Sequence, residues 1–447
     1  MDFATAERIL KAAQAETVSR RFPGRLNRMR LLLDELDNPQ TKFPSIHVGG
    51  TAGKGSTATM IAAILSAAGF KAGLHTKPHL HSVTERARID GNAIAAERFA
   101  ELMGELLPAI DVMERSEFGR PSYFELLVAL AFIYFAQERV DVAVVEVGIG
   151  GSLDGTNVLQ PIESVLTNVG FDHTDVLGDT IEAIAQDKAG IIKPHSPVVT
   201  AAEGAALEIF RETARRANTQ LVHVQDVAKI EHLPNETPYG QAFSLTTSLT
   251  TPRRRYDVRL PVMGEFQVRN AATAIVACEQ VEARFPIGSA SVTSGLASVS
   301  LPGRMEFYPS RPPLLFDVAH NADKASALAQ ALAQHFPERR CVFAVAISES
   351  KDAAGMIDAL ARVRGQFIFT SFSVTHREPM SPYRLATIAQ SHGVPARAVS
   401  DPVEALSVAR RVAGPDDLVV VTGSTFLVAT LLEWFLENAA VGGHARV

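Results

Sequence analysis

The sequence predicts an α/β protein of two domains, each built on a parallel sheet covered by helices. Short runs rich in valine and isoleucine alternate with amphipathic helical patterns, which is typical of parallel strands buried on both faces. The alternation pauses near residue 300 and then starts again. The 447 residues also exceed what one hydrophobic core ordinarily holds. We therefore expect one domain over residues 1–300 and a second over residues 301–447.

The first domain begins with a helical stretch from Thr5 to Leu36. From Leu221 to Leu260, short alternating runs with turn residues predict an antiparallel flap or small sheet, and Val268–Glu282 is helical in pattern. The apolar runs between these segments predict strands, and the amphipathic stretches predict helices. The predicted strands are Ile46–Val48, Ala72–His75, Val142–Val147, Ser164–Thr167 and Val198–Thr200, and the helices are Tyr123–Glu138, Ile181–Ala189 and Ala205–Ala217.

The second domain follows Ser300–Arg304, a segment with the proline and glycine expected of a hinge. Beyond it, strand and helix patterns alternate as in the first domain, over a length typical of one α/β unit. The predicted elements, in order, are Leu314–Val318, Ala325–Ala333, Cys341–Ala346, Met356–Val363, Phe367–Ser371, Val403–Val412, Leu418–Thr422 and Thr425–Phe435.

Composition excludes several classes of protein. A formal net charge of −6 provides no electrostatic footprint for nucleic acid, and two cysteines cannot form a disulfide framework or a cysteine-rich metal site. Apolar runs are too short or too interrupted to span a membrane, and Met1–Lys11 lacks the core of a signal peptide. We expect a cytoplasmic protein with no nucleic-acid or membrane partner.

Ile46–Thr57 is the most informative segment, because it reads as a strand, a glycine-rich loop and the start of a helix. Glycines allow backbone N–H groups to surround a phosphate, lysine supplies a charge, and a hydroxyl can bind Mg²⁺. The spacing departs from the usual phosphate loop, since glycine follows the lysine, and a plain strand–turn–helix link is the alternative. The residues expected at the nucleotide are Gly50, Thr51, Ala52, Gly53, Lys54, Gly55, Ser56 and Thr57.

Two further clusters of the first domain follow predicted strands. Glu146 ends a valine-rich strand, where a buried carboxylate needs a cation such as Mg²⁺ unless it caps the following turn. Asp172, His173 and Asp175 could supply metal ligands or a proton carrier, or could be a solvated loop.

Three more clusters are ambiguous by themselves. Lys188 alone would pass as a cation at a helix C-terminus. Asp317–Asn321 and Thr422–Thr425 follow strands of the second domain and could be helix caps or part of a binding cleft.

Taken in order, these motifs and several others resemble the Mur ligase superfamily, and most closely the folylpolyglutamate synthase/dihydrofolate synthase family. The resemblance covers nearly the whole chain and implies a Mur-ligase-like fold: a P-loop NTPase-type N-terminal domain and a smaller Rossmann-like C-terminal domain. The motifs that carry it are Gly50–Ser56, Lys77–Leu80 with Glu85–Arg86, Tyr123–Glu125 with Ala131–Phe132, Glu146–Asn157, Asp172–Thr174, Asp187–Gly190, Pro302–Arg304, Asp317–Asn321 and Thr422–Ser424.

The resemblance implies an ATP-dependent amide ligase that acts as a monomer. ATP would phosphorylate a carboxylate of a folate-type substrate, and the amino group of L-glutamate would attack the acyl phosphate. The acceptor would be dihydropteroate, tetrahydrofolate polyglutamates, or both. Two alternatives stay open: a Mur-type amide ligase for a non-folate carboxylate, and a binding protein that hydrolyses ATP.

The resemblance also assigns roles to residues. It implies that Ser56 and Glu146 serve one Mg²⁺ ion and that His173 serves a second. It also implies that Lys188 is carried as a carbamate, which makes it a metal-binding anion. The catalytic group would be Lys54, Glu146, His173, Lys188 and His320. Gln267 and Asn270 would lie near the adenine, Arg304 and Asp317 would also bind the nucleotide, and Lys77, Pro78, His79, Arg86, Ser122 and Ser424 would bind substrates.

The chain departs from the family pattern at four positions. Ala52 replaces an asparagine, Ser152 an arginine, Phe266 a histidine and Lys77 a serine. A protonated lysine cannot bind Mg²⁺, so the ligand at residue 77 is expected to be lost or replaced by water. We hypothesise that the Lys77 ammonium neutralises phosphate or substrate carboxylate directly; the alternative is a side chain that points to solvent.

Overall fold

The computed structural model describes residues 1–15, 24–235, 239–374 and 377–442. The chain divides into two compact units. Unit 1 comprises the described residues of Met1–Pro234, Ala242–Leu260 and Gln267–Val299. Unit 2 comprises the described residues of Asn235–Gln241, Pro261–Phe266 and Ser300–Val447, so two short segments of the first 300 residues belong to it.

A mixed sheet with a parallel centre forms the middle of unit 1. Its strands are β1 (Ser45–Gly49), β2 (Ala72–His75), β3 (Arg88–Ile89), β4 (Asn92–Ala93), β5 (Val142–Glu146), β6 (Glu163–Leu166), β7 (Val198–Thr200) and β8 (Leu221–His223). The order across the sheet is β4-β3-β2-β5-β1-β6-β7-β8, in which β2, β5, β1, β6, β7 and β8 are parallel. The parallel sheet is confirmed. Residues 221–223 depart from the expectation, because β8 extends this sheet instead of starting the antiparallel one.

The helices of unit 1 cover the sheet and support the loops at its edge. They are α1 (Phe3–Ala15), α2 (Arg25–Asp34), α3 (Lys54–Ala67), α4 (Ala96–Arg115), α5 (Tyr123–Gln137), α6 (Thr174–Leu177), α7 (Ile181–Lys188), α8 (Gly204–Arg216), α9 (Val224–Val227), α10 (Glu265–Gln280) and α11 (Ser289–Ala297). Two helices are described within the predicted stretch Thr5–Leu36, and residues 16–23 lie outside the described residues.

A three-stranded antiparallel sheet also belongs largely to unit 1. Its strands are β9 (Ala228–Leu233), β10 (Gln241–Thr247) and β11 (Arg254–Leu260), with β10 in the middle. Alternate residues of β11 are buried, which is the pattern of a strand with one solvated face. The small antiparallel sheet predicted for this region is confirmed.

Unit 2 is a second, smaller α/β structure. Its strands are β12 (Glu306–Tyr308), β13 (Leu314–Phe316), β14 (Cys341–Val345), β15 (Gly365–Phe369), β16 (Ala396–Ala398) and β17 (Leu418–Thr422). They run in the order β12-β13-β17-β14-β15-β16, all parallel except β12. Its helices are α12 (Ala322–His335), α13 (Ala353–Ala361), α14 (Pro382–Ser391), α15 (Pro402–Val412) and α16 (Thr425–Gly442). Among the described helices, none has the length and apolarity needed to cross a membrane.

Candidate active site

Four neighbouring strands of unit 1 end at one edge of its sheet. The register aligns Val48 of β1 with Glu146 of β5, and Gly49 of β1 with Leu166 of β6. Because parallel strands share the direction of their carboxyl ends, the loops after β2, β5, β1 and β6 emerge side by side. This edge therefore collects Lys77, Glu146, the glycine-rich loop and the segment that contains His173.

The glycine-rich loop depends on two glycines with positive φ. Gly50 has φ +137° and Gly53 has φ +78°. A Cβ atom on Gly50 would overlap Thr167 Oγ1, and one on Gly53 would overlap Asn270 Oδ1. Only glycine fits both the backbone conformation and the space, which keeps the loop backbone free of side chains as phosphate binding requires.

The glycine-rich loop is tied to the loop that follows β6. Thr51 N–H donates to Asn168 O at 2.9 Å, and Ala52 N–H donates to Asn168 Oδ1 at 2.8 Å. In the other direction, the Thr167 hydroxyl donates to Ala52 O at 2.6 Å. The sequence reasoning assigned Asn168 no role, although its position directly after a predicted strand was a signal. These bonds hold the loop's shape without a ligand.

Two lysines converge on the loop. Lys54 Nζ donates to Gly50 O at 2.9 Å and to Thr51 O at 3.1 Å, and Lys188 Nζ donates to the same Gly50 carbonyl at 3.0 Å. Lys188 is only 3% exposed, and burial lowers its pKa to about 8 although Asp187 favours the charged form. The site therefore concentrates positive charge where a phosphate would lie.

The turn that carries Lys188 packs against the segment after β5. A Cβ atom on Gly151 would lie 2.8 Å from Lys188 Cα, so glycine allows the two backbones to touch. Ser152 donates from both N–H and hydroxyl to Asp187 O, each at 2.9 Å. Ser152 is therefore a packing residue here, and it carries no charge.

Glu146 and Lys77 are neighbours. Glu146 is 3% exposed, and its Oε2 accepts the Lys77 N–H at 2.9 Å. The Lys77 side chain is half-buried; burial lowers its pKa, whereas the carboxylates of Glu146, Asp154 and Asp172 favour its charged form. Its ammonium therefore lies in the field of three carboxylates, and the alternative of a fully solvated side chain does not fit.

His173 begins the short helix α6 with a left-handed backbone, φ 52°. Its Nε2 lies 3.9 Å from Asp172 Oδ1. Both residues follow β6, beside the glycine-rich loop.

The residues at this edge suit an ion shared with a nucleotide better than an ion held by protein alone. Over the described ranges, no three histidine, cysteine, aspartate or glutamate side chains form a group that could hold a metal. Mg²⁺, however, is usually bound by one or two carboxylates together with phosphates and water. Glu146 and the Ser56 hydroxyl provide oxygen donors, and Thr57 Oγ1 is buried without a hydrogen-bond partner. The chemistry of this donor set fits Mg²⁺.

The loop after β2 is held by a carboxylate at its centre. Glu85 accepts the N–H groups of Leu80, His81 and Ser82 at 2.8–3.0 Å. Arg86 Nε donates to His79 Nδ1 at 3.1 Å, so this histidine is neutral, and burial lowers its pKa to about 4. The structure thus brings together His79 and Arg86 of the predicted substrate residues, with Pro78 exposed on the same loop.

Ser122 starts α5 in a capping box with Glu125. The buried Glu125 carboxylate also accepts a forked pair of bonds from Arg28, with Arg28 Nη2 2.9 Å from Oε2. The sequence reasoning did not single out Arg28, because a partner 97 residues away leaves no spacing signal.

Asp154 is a second residue that the sequence reasoning left without a role. Its Oδ1 accepts the Thr156 hydroxyl at 2.6 Å, and its Oδ2 accepts the Ile149 N–H at 2.9 Å. The Thr156 oxygen in turn lies 2.8 Å from His47 Nε2. Since the hydroxyl donates to the carboxylate, the histidine donates to the hydroxyl.

Gln267 and Asn270, predicted near the adenine, are bonded to each other through Asn270 Nδ2 and Gln267 Oε1 at 2.9 Å. Asn270 also lies against Gly53, so this pair adjoins the glycine-rich loop. Phe266, at the position of a family histidine, packs on Gly264 within unit 2.

Unit 2 has its own cluster at the carboxyl ends of β13 and β17. Asp317 accepts the N–H groups of Met305 and Ala319 at 3.0 and 2.8 Å, yet burial raises its pKa to about 6. Arg304 is close enough to oppose that rise. Gly423 N–H donates to Ala319 O at 3.0 Å, which ties the two loops together.

His320 is fixed in one tautomer. Its Nδ1 lies 2.8 Å from Val318 O and must donate, and its Nε2 lies 3.0 Å from Lys324 Nζ and must accept. Ser424 is 3% exposed, and its Oγ accepts the Phe426 N–H at 3.2 Å. Asp317, His320 and Ser424 are thus gathered at one edge of this unit.

Comparisons with known proteins agree with both units. Residues 48–278 match the Mur ligase middle domain, and residues 303–425 match the glutamate ligase domain of Mur ligases. The dihydrofolate synthase/folylpolyglutamate synthase of Bacillus subtilis is 32% identical over 414 residues, which is 92% of this chain and 94% of that protein.

Solved structures agree as well. Folylpolyglutamate synthase of Mycobacterium tuberculosis, complexed with ADP, has a TM-score of 0.87 and 31% identity and covers 97% of this chain and 98% of its own. Escherichia coli FolC, in complex with DHPP and ADP, has a TM-score of 0.85 and 26% identity and covers 98% of both chains.

Proposed function

This chain belongs to the Mur ligase superfamily, in the folylpolyglutamate synthase/dihydrofolate synthase family, and on that premise we propose that it joins L-glutamate to a folate-type carboxylate with ATP. The observation that carries the proposal is the Lys54 ammonium on the carbonyl of Gly50, in a glycine-rich loop at a helix N-terminus. A site of this kind binds a polyanion and stabilises charge transferred between phosphate and carboxylate.

The reaction proceeds through an acyl phosphate. A carboxylate oxygen of the acceptor attacks the γ-phosphorus, and ADP leaves. The amino group of glutamate then attacks the acyl carbon, and phosphate leaves as the amide forms. Lys54 and the loop N–H groups hold the transferring phosphoryl group. Ser56 and Glu146 would hold one Mg²⁺ ion and His173 a second, and these ions would supply further positive charge there.

Lys188 supports a proposal of its own, that it carries a carbamate. Its free amine adds to CO₂ to form a carbamate anion and releases a proton. A pKa near 8 leaves a useful fraction of free amine at neutral pH, and burial at 3% exposure protects the product from solvent. Mass spectrometry of the intact protein in ¹³C-bicarbonate, with Lys188→Arg as control, tests the assignment.

We assign the remaining predicted residues by their surroundings. Gln267 and Asn270, which adjoin the glycine-rich loop, fit the adenine side of the nucleotide. Lys77, Pro78, His79, Arg86 and Ser122 are proposed to bind the acceptor; in support, Arg86 is bonded to His79 and interacts with Tyr123, the residue after Ser122. Arg304, Asp317, His320 and Ser424 serve nucleotide and glutamate from unit 2. A monomeric state and a cytoplasmic location remain predictions, and light scattering tests the first.

The experiment is ADP release by the purified protein with ATP, Mg²⁺ and L-glutamate, and with dihydropteroate, tetrahydrofolate or no acceptor. Turnover with one acceptor assigns the corresponding synthase activity, and turnover with both makes the protein bifunctional. ADP release at a rate independent of acceptor and glutamate would indicate an ATP-hydrolysing binding protein. Nucleotide binding without turnover on either acceptor would instead favour a non-folate carboxylate.

A further inference from the structure

Lys77 stands at the end of β2 with its backbone bonded to one of the proposed metal ligands. Its N–H donates to Glu146 Oε2 at 2.9 Å, which fixes residue 77 beside that carboxylate whatever its side chain is. The side chain is half-buried, and its ammonium is near enough to Glu146, Asp154 and Asp172 to be attracted by all three.

The charged groups around the Lys77 ammonium both attract and repel it. Glu146 and Asp154 are both buried; Arg25 and hydrogen bonds from Thr156 and Ile149 favour the charged form of Asp154, whereas Glu146 accepts the Lys77 N–H. Arg86 is near enough to Lys77 to repel it, and Lys188 also repels it as long as the Lys188 amine is not carbamylated. The carboxylates therefore hold Lys77 against the repulsion of Arg86, at the edge where the nucleotide phosphates and a divalent ion would lie.

We propose that Lys77 supplies a built-in positive charge next to Glu146, so that this site binds nucleotide phosphate with weaker dependence on a divalent cation there. The inference rests on the proposed function, since it assumes that ATP binds at this edge. The ammonium is attracted to the phosphates and repels a metal ion at Glu146, because a divalent and a monovalent cation a few ångströms apart interact unfavourably.

The test compares Mn²⁺ binding to the complex with AMPPCP, a nucleotide that cannot be turned over, in variants at residue 77. Lys77→Met removes the charge and keeps the length, Lys77→Arg keeps the charge, and Lys77→Ser adds a hydroxyl that can bind metal. All three keep the backbone N–H to Glu146. We expect Lys77→Met to tighten Mn²⁺ binding at least 10-fold, Lys77→Ser to tighten it further, and Lys77→Arg to leave it within threefold of the natural protein.

Lys71→Met is the matched control. Lys71 precedes β2 at the opposite edge of the sheet, where its Nζ is 2.9 Å from Glu138 Oε2. This variant loses a lysine from the other end of β2 without touching the proposed site, so its Mn²⁺ affinity should not change.

The same titrations give a second readout, the affinity for AMPPCP in the absence of divalent ions. The natural protein and Lys77→Arg should bind AMPPCP with similar affinity under these conditions, and the affinity of Lys77→Met should be at least 10-fold lower. Equal Mn²⁺ and AMPPCP affinities in all variants would overturn the role of Lys77 and leave the ligase intact. A natural protein that binds no AMPPCP with or without Mn²⁺ would overturn the proposed function itself.

Discussion

Units 1 and 2 place polar side chains at the carboxyl ends of parallel strands, but they hold them in opposite electrostatic conditions. In unit 1, Lys54 and Lys188 meet at one carbonyl, and the loop beneath them is bonded to Asn168. In unit 2, the central group is a carboxylate, Asp317, whose burial is only partly offset by two backbone N–H groups. The comparison indicates that unit 1 places the Lys54 ammonium and the N-terminus of α3 at its loop, which suits a polyphosphate, whereas the cluster in unit 2 mainly orients its side chains.

The largest expected effect follows from that asymmetry. Lys54→Met removes a cation that stabilises charge in the transition state, so we expect kcat/KM for ADP release to fall about 10³-fold, or about 4 kcal/mol. The comparable change in unit 2, Lys324→Met, removes the cation at His320 Nε2. We expect it to cost about 10-fold, since it alters the setting of a neighbouring side chain.

Circular dichroism and thermal unfolding of both variants check that the fold is intact. If kcat/KM fell by a similar factor in the two variants, the proposal that unit 1 supplies charge and unit 2 orients side chains would be wrong.

We also expect the two units to lose stability at different pH values in acid. His47 and His75 are fully buried in unit 1, and burial lowers the pKa of each to about 4 from 6.5. Between pH 6.5 and 4 the unfolded chain therefore binds protons at these histidines and the folded chain does not. The free energy of unfolding falls over this range, by about 3 kcal/mol per histidine. Glu163, whose pKa is raised by burial, acts in the opposite direction and offsets part of this loss.

Unit 2 has a different balance. Burial raises the pKa of Asp317 to about 6, so its buried charge lowers the free energy of unfolding above pH 6. Protonation removes this destabilisation as pH falls towards 3.8. His335, whose pKa is lowered by burial, offsets part of this gain. We expect unit 2 to resist acid better than unit 1.

Trp434, the single tryptophan, lies in α16 of unit 2 and therefore serves as a fluorescent reporter in that unit. Between pH 7 and 4.5, far-ultraviolet circular dichroism should decline before Trp434 fluorescence changes. His47→Gln should move the first transition to lower pH. Coincident transitions would show that the units respond to acid together and would contradict the prediction.

The features that could be read from the sequence are those with short-range patterns. The glycine cluster before Lys54 predicted β1, the loop and α3, and the valine-rich runs predicted β5 and β17. The elements that were missed have weak local signals: β3 and β4 are two residues each, and α4 contains Pro108.

The same limit applies to the site. Residues next to strand ends could be found because parallel strands bring their ends together. Arg28 with Glu125, and His47 with Thr156, are paired across 97 and 109 residues, so only the folded chain reveals them. The charge on Lys77 was visible in the sequence, whereas its three carboxylate neighbours were not.

A smaller effect is expected from the backbone of the loop. Gly50→Ala should lower the free energy of unfolding by about 2 kcal/mol, because the new Cβ meets Thr167 Oγ1 and φ is +137°. Gly393 in unit 2 has φ +72° with open space around it, so Gly393→Ala carries only the conformational cost, about 1 kcal/mol. Urea unfolding measures both. Equal costs would mean that the loop relaxes around the added methyl group and is less fixed than its hydrogen bonds indicate.

The smallest expected effect tests whether those hydrogen bonds prepare the loop for nucleotide. Asn168→Ala removes the acceptor for Ala52 N–H and leaves the Asn168 backbone bond to Thr51 in place. We expect AMPPCP to bind about fivefold more weakly, near 1 kcal/mol, because the loop must then be ordered by the ligand. Asn321→Ala, which removes the cap of α12 in unit 2, should change AMPPCP affinity less than twofold. If Asn321→Ala weakened binding as much as Asn168→Ala, nucleotide affinity would depend on both units equally, and preorganisation could not be assigned to the loop of unit 1.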